Sequence, residues 1–389
     1  MRRLAALLLH TLALLALALP AQAANKLTGP PFSVDHFRAD TTARHFDGET
    51  SRMAWSRGAG GLALRDDAHA GWYVSPPARA PFRFTELLPS WNIALDEETQ
   101  GYRIEVRVQD ARDGTWSPWF YFGTAGRTDG STTTAVIDDD AWGEVDIDYL
   151  LLKRPARAHQ YKVILYSDPD HGDTPQPAVK RFHVVVSNTE GDRALHRRVR
   201  RSMPRAAGDW ATTLTVPYRA QRWVDDRRLG GEICCPTCVA MVLESHGIEI
   251  GTVTAAANAL DHEHDIYGNW PRAAQSVVRH GLASEVRRFR ETDDLKPFIA
   301  AGLPVMASIR AARGEMQNAR YKSTNGHLIL VIGLTQDGDF VVNDPASPGA
   351  GGEEIVYTAE EIRKVWFEKG GVGIVIWNPD KTASGKRTH

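Results

Sequence analysis

The chain has 389 residues, with 46 Lys and Arg against 48 Asp and Glu, a formal net charge of -2, and 42% hydrophobic residues. So even a balance gives no polyelectrolyte attraction to a phosphate backbone, which excludes nucleic acid as a partner, and the length leaves room for two domains. Three cysteines cannot all pair within one secreted chain, so at least one thiol is left free or bridged to another molecule.

Residues 1–23, MRRLAALLLHTLALLALALPAQA, have the plan of a secretory signal peptide. Arg2 and Arg3 form the charged start, an apolar run reaches Leu19, and Ala21-Gln22-Ala23 is a small-residue cleavage site. A membrane anchor fits less well, because His10 interrupts the run, Pro20 ends it, and no cysteine follows for lipidation. The mature chain is expected to begin near Ala24, in the periplasm or outside the cell, where the compartment is oxidising. No later segment is apolar enough to span a bilayer, so no integral membrane segment is expected after signal removal.

Residues 24–187 are expected to form an all-β sandwich. Tyr102, Ile104, Val106 and Val108 alternate with Arg103, Glu105, Arg107 and Gln109, the pattern of a strand with one dry and one wet face. GLALRD, TWSPWFYF, YKVILYS and KRFHVVVS are further strand candidates between turn residues. Trp91, Trp116, Trp119 and Trp142 are expected in the core, with a sugar-stacking platform as the alternative, so a surface or glycan ligand stays open for this domain. Asp138, Asp139 and Asp140 with Asp146 and Asp148 match no calcium-loop spacing and are expected in a solvated turn.

Residues 188–210 change character. HRRVRRS crowds Arg197, Arg198, Arg200 and Arg201 together, as expected of a basic exposed linker, with an anionic surface or a processing site as alternatives. A cut between Ser187 and Trp210 is expected to release two folded pieces.

Residues 211–378 mix helical and strand patterns, and 379–389 form a polar tail. TVTAAANALD and WPRAAQSVVRHG have helical patterns, whereas LPVMASIR, HLILVIGL, DFVVND and VGIVIW have those of strands, which together suggest an α+β layer fold. All three cysteines fall in GEICCPTCVAMVLESHG, Gly231 to Gly247. Pro236 suits a first helical position and Gly247 a stop, so the cysteines sit at a helix N-terminus, where the dipole favours thiolate. A buried structural cysteine is the competing reading. His327 opens the apolar run LILVIGL and Asp344 closes FVVN. Across a hairpin centred between Thr335 and Gln336 they would face each other, whereas a two-residue turn at Asp337-Gly338 would slide them about four residues apart, roughly 13 Å. A wider loop is therefore expected, bringing together a nucleophile, a base and an orienting carboxylate.

From about Leu214 to Trp377 the chain resembles the papain-like cysteine peptidases that process bacteriocin leaders, family thirty-nine of the cysteine peptidases, and more closely their secreted relatives. ICCPTCVAMVL resembles the nucleophile motif, GHLILVIG the histidine motif and VVNDPAS the acid motif. The resemblance implies a multidomain protein, an N-terminal all-β sandwich followed by an α+β papain-like cysteine peptidase domain. It assigns Cys234 as nucleophile, His327 as its partner, Asp344 as the acid, and Gln221 in VPYRAQ as a donor to the oxyanion hole. The departure is Cys235, where the family has Gly or Ser. DIYGNWPRAA, AAGLPVMAS and LLPSWN with TWSPWFYFG also look like stretches of multidomain secreted relatives.

The implied function is that of a secreted hydrolase acting on a peptide or protein substrate, cleaving amide bonds through a thioester, with no cofactor and no metal. Three other readings compete. Cys235-Pro-Thr-Cys238 has the C-x-x-C spacing of a thiol-disulfide oxidoreductase but no βαβ pattern before it; Cys235, Cys238 and His246 could hold zinc, with Asp261-His262-Glu263-His264-Asp265 offering more ligands, but a clean second C-x-x-C or H-x-x-x-H pair is absent. An inactive peptidase-like binding protein is the third reading. Cys235 and Cys238 are expected to form a reversible disulfide, leaving Cys234 free.

Overall fold

The computed structural model describes residues 32–128, 141–170, 174–202, 210–347 and 349–382. The expected signal sequence with Ala24, Asp138 to Asp140, and the tail beyond residue 382 lie outside these residues.

The first half is mostly β. Its strands are β1 (Val34–Asp40), β2 (Glu49–Ser51), β3 (Met53–Ser56), β4 (Gly61–Leu64), β5 (Ala70–Val74), β6 (Ala78–Ala94), β7 (Gln100–Asp110), β8 (Phe120–Gly126), β9 (Gly143–Asp146), β10 (Tyr149–Ser167) and β11 (Ala178–Asn188). All pairings are antiparallel, and the strands form one hydrogen-bonded network rather than two separate sheets. β10 joins the layers: Tyr149–Leu152 pairs with β9 and β6, whereas Lys162–Tyr166 lies between β7 and β5. The ladder slips between Leu151 and Ala158, around Pro155, which has no N–H to give and so lets the strand bend from one layer to the other.

Between the layers lie Leu87, Trp91 and Ile93 of β6, Ile104, Val106 and Val108 of β7, Val163 and Leu165 of β10, and Val184 and Val186 of β11. Each fully buried aliphatic or aromatic side chain contributes about 1.5–3 kcal/mol. Tyr161 and Phe182 stack with centroids 3.7 Å apart. The dry face expected for β7 is present, and the wet face is partly covered, with Glu105 buried between Arg103 and Lys162 at 2.7 and 3.3 Å. Trp91 is a core residue against Phe182 and Tyr102. Trp116, Trp119 and Trp142 are half-buried: Arg107 lies over the first two and Arg154 over the third, so guanidinium groups of the same chain already occupy these rings. Asp148 is buried and accepts the Trp270 N–H, which is no solvated turn.

Part of the stretch expected as an exposed linker is helix α1 (Arg193–Ser202). Leu195 is buried, and Arg200 turns inward to pair with Glu291 and Asp294.

The second half carries helices α2 (Leu229–Glu232), α3 (Cys234–Ser245), α4 (Thr252–Ala259), α5 (Trp270–Ser276), α6 (Thr292–Ala300) and α7 (Ala359–Val365). It also carries strands β12 (Ala283–Arg288), β13 (Val305–Ala311), β14 (Thr324–Leu334), β15 (Phe340–Asn343), β16 (Ile355–Tyr357) and β17 (Val372–Trp377). The six strands form an antiparallel sheet in the order β12-β17-β13-β14-β15-β16. Cys235 to Leu243 of α3 are all buried, because this helix lies between the sheet and the first domain. Leu88, Tyr149 and Val185 of the first half share one apolar cluster with Cys235, Cys238 and Met241.

Polar contacts also cross the same boundary. Gln275 donates to the Ile93 carbonyl at 2.7 Å and accepts the Ile93 N–H at 2.8 Å. Asn92 exchanges hydrogen bonds with Ser284, and the Val286 N–H reaches Ser90. Arg290 forks onto Asp35 and Arg272 onto Glu97, each through two bonds, and Arg288 pairs with Glu86 at 2.6 Å with both side chains buried. The two freely separable pieces expected from composition are thus halves that share a core. Among the described residues, no helix is long and apolar enough to cross a membrane.

Candidate active site

Helix α3 begins at Cys234, two residues before the proline expected to open it. Pro236 still falls in the first turn, where a helix needs no amide donor, so the substitution of an imide for an amide costs nothing there. The helix ends as expected: Gly247 adopts φ 80, its N–H meets the Glu244 carbonyl, and the Ile248 N–H reaches back to Leu243. Cys234 is half-buried at the helix tip, facing β14.

The β14–β15 hairpin has a five-residue connection, Thr335 to Asp339, with Leu334 opposite Phe340. It is wider than a two-residue turn, as expected, but His327 and Asp344 are not directly opposed. His327 pairs with Ile309 of β13, and Asp344 lies just past the end of β15. A bulge between Val331 and Gly333 and the turn after Asn343 bring the carboxylate back, so that His327 Nε2 meets Asp344 Oδ1 at 2.8 Å. With Nε2 engaged there, Nδ1 is the ring nitrogen left for Cys234, whose thiol lies close enough to interact with the ring.

Burial alone would push the Cys234 thiol up. The hydrogen bond from His327, its positive charge, and backbone N–H groups of Leu328 and Cys235 outweigh burial and hold the thiol below its ordinary value. For His327, burial favours the neutral ring, but the charge and hydrogen bond of Asp344, reinforced by Cys234, raise the imidazolium to about 10. Asp344 is fully buried, which works against its charge, yet His327, the Ala346 N–H and the Tyr357 hydroxyl keep it below the usual carboxylate range. The charges along the three side chains thus favour a thiolate, an imidazolium and a carboxylate.

Gln221 lies beside this line. Its backbone N–H donates to the Pro345 carbonyl at 2.9 Å, and its Nε2 donates to the Gly230 carbonyl at 2.9 Å. It therefore ties the acid loop to the segment entering α3, with one amide hydrogen committed to that bond.

The other two thiols are different. Cys235 and Cys238 are fully buried and unpaired, burial pushes both thiols well up, and Cys238 Sγ contacts the Leu328 carbonyl at 3.5 Å. The expected Cys235–Cys238 bridge is absent: Cys238 faces the sheet and Cys235 packs into the cluster shared with the first domain. A raised pKa in an apolar site is the reverse of what a dithiol oxidoreductase needs. Among the described residues, no three His, Cys, Asp or Glu side chains converge where a metal ion could be held. Cys235→Ala should leave labelling of Cys234 by a thiol probe unchanged in rate, checked by mapping the labelled peptide.

Three tyrosines here had no signal in the sequence, because a tyrosine near a strand usually means core. Tyr321 and Tyr357 both reach the free oxygen of Asp344, and Tyr218 reaches the carbonyls of Asp344 and Ser347.

Residues 213–374 match the model of the peptidase C39-like family, and residues 35–187 match that of the peptidase C39 N-terminal domain. The second half of the chain is a peptidase C39-like domain. The first is the domain that accompanies it. Among solved structures, the chain is similar to a double-glycine-motif protease from an AMS/PCAT transporter in complex with its leader peptide, at 16% identity over 44% of this chain and 96% of that one, with a TM-score of 0.31. It is also similar to a protein of Bacillus anthracis described as a C39-like peptidase, at 16% identity over 46% of this chain and 98% of that one, with a TM-score of 0.32. No curated protein matches the chain. Cys234, His327 and Asp344 all lie within the peptidase C39-like domain.

Proposed function

We propose that this chain is an exported cysteine peptidase, with a papain-like second domain that hydrolyses amide bonds in a peptide or protein. The observation that carries the reading is that Cys234 at the tip of α3 faces His327, whose Nε2 is hydrogen-bonded at 2.8 Å to a buried Asp344. In the reaction, Cys234 Sγ attacks the substrate carbonyl carbon, and the developing oxyanion takes N–H donors from the α3 tip and the second amide hydrogen of Gln221. His327 gives its Nδ1 proton to the leaving amine as the C–N bond breaks, which leaves a thioester. Water then attacks, His327 takes up a proton from it, and collapse releases the acid and regenerates the thiolate. No step needs a cofactor. The signal-like residues 1–23 support export, and the Asp344 carboxylate supports an ion pair present before substrate arrives.

The test is labelling of full-length protein with a thiol-directed electrophile, followed by peptide mapping. Label on Cys234 near neutral pH supports the peptidase. A chain that takes no label faster than free cysteine is better read as a binding protein. The pH profile makes the reading sharper. The ion-pair form needs Cys234 deprotonated and His327 protonated, so kcat/KM should rise as Cys234 ionises and fall only near pH 10 as His327 loses its proton. In Asp344→Asn the negative charge that raises His327 is gone, and the alkaline limb should move down toward the ordinary histidine value of about 6.5.

A further inference from the structure

Asp344 is fully buried, and both of its oxygens are occupied, by groups from its own loop, from β16 and from the segment that runs into β14. Oδ1 meets His327 Nε2 at 2.8 Å and the Ala346 N–H at 3.0 Å. Oδ2 accepts the Tyr357 hydroxyl at 2.9 Å and the Tyr321 hydroxyl at 3.1 Å. Tyr357 comes from β16, at the far edge of the sheet, and Tyr321 from the segment leading into β14. The Tyr321 ring also meets the His327 ring edge to face, with centroids 5.2 Å apart. Tyr218 fixes the backbone of the same loop, with its hydroxyl 3.1 Å from the Asp344 carbonyl.

A carboxylate accepts on both oxygens and donates on neither. Two phenols and one amide N–H converging on it therefore favour its charged, acceptor-only form. They also leave one direction for His327, with Nε2–H as donor and Nδ1 toward Cys234. From this geometry we infer that Tyr321 and Tyr357 are positioning residues for the reaction: they clamp Asp344 as an anion and so hold His327 in the orientation and charge state that Cys234 requires. The inference rests on the ion-pair reading given above and adds the device that maintains it.

The clamp acts through Asp344, so it should show as a proton-affinity effect on a residue that neither tyrosine shares with the substrate. Removing a phenol takes away a stabiliser of the Asp344 anion, and Asp344 then protonates at higher pH. Once it is neutral, His327 loses the charge that keeps it protonated, and the Cys234 thiolate goes with it. A charge-assisted hydrogen bond of ordinary strength corresponds to about one pH unit.

The experiment is the rate of Cys234 alkylation by iodoacetamide against pH in the full-length protein, which needs no knowledge of the substrate. It compares the wild type, Tyr357→Phe, Tyr321→Phe, Asp344→Asn, and each tyrosine variant combined with Asp344→Asn. The acid limb of the wild-type profile is expected to move up by about one unit in Tyr357→Phe and by somewhat less in Tyr321→Phe, at unchanged far-ultraviolet circular dichroism. In the Asp344→Asn background, neither tyrosine substitution should have a further effect, a non-additivity that a merely structural role does not produce. Tyr321 is half-exposed, so its Phe variant keeps the test available should Tyr357→Phe fail to fold. Acid limbs unmoved in folded variants, or full additivity with Asp344→Asn, overturn the clamp while leaving the peptidase reading intact. A wild-type Cys234 that alkylates no faster than free cysteine overturns both.

Discussion

Cys234→Ala should abolish thiol-probe labelling near neutral pH and reduce amide hydrolysis to background, a loss on the order of a million-fold if the nucleophile and its partner act as a unit. His327→Ala should be nearly as severe for turnover but milder for alkylation, and the difference is informative. A free cysteine with a pKa of about 8.5 is roughly 1% thiolate at pH 6.5. Lowering that pKa raises the thiolate fraction but makes each thiolate less nucleophilic, because reactivity follows basicity with a slope of about 0.4–0.5. Loss of His327 should therefore slow alkylation at pH 6.5 only in part, while hydrolysis, which also needs a proton for the leaving amine, falls by orders of magnitude more. Iodoacetamide kinetics and a quenched-peptide assay on the same preparations would measure both. Equal alkylation rates in wild type and His327→Ala would mean that no ion pair exists.

A protein truncated to begin at about Trp210 should be insoluble or molten, even though it contains the whole matched peptidase C39-like region. Truncation would uncover the face of α3 that packs on Leu88, Tyr149 and Val185 and would strip Arg272, Arg288 and Arg290 of Glu97, Glu86 and Asp35. Of these, Arg288 is the most exposed to the loss, since its side chain has no contact with solvent. Leaving one member of such a pair buried alone costs about 3–5 kcal/mol, a large part of the whole stability of an ordinary domain. In the intact chain, Glu86→Ala should lower the thermal midpoint by several degrees, with the two halves unfolding in one transition. Calorimetry would show it. Two resolved transitions, or a soluble and folded fragment, would mean that the contact between the halves is incidental.

The grouping of Cys234, His327 and Asp344 was legible in the sequence because each carries a local mark. Cys234 has a proline two residues on and an apolar run after it, His327 opens a strand, and Asp344 precedes a proline that ends one. The separation of His327 and Asp344 was harder, since register depends on the bulge between Val331 and Gly333, which leaves no trace in composition. Tyr321 and Tyr357 were illegible for the same reason: they lie 23 and 13 residues from Asp344, and only the folded sheet brings their hydroxyls to it. In the first half, Pro81 and Pro89 break the pattern of β6, the second-longest strand, so that the segment did not suggest a strand at all. The inward turn of Arg200 was missed because the arginine-rich stretch looks like solvent-facing linker. Arg200 in fact points inward to two carboxylates more than ninety residues later, a pairing that sequence spacing does not report.

The doubled hydrogen bonds between Gln275 and the backbone of Ile93, and between Asn92 and Ser284, bear on how such a protein can be rebuilt. A side-chain amide that reads both the donor and the acceptor of one particular residue is a matched key, and a foreign β domain would present a different lock. Recombination at the arginine-rich junction, or grafting of the peptidase C39-like domain onto a new module there, would thus break contacts that lie far from the splice. The portable unit runs from β1 through β17 as a single piece, and new modules belong at its ends.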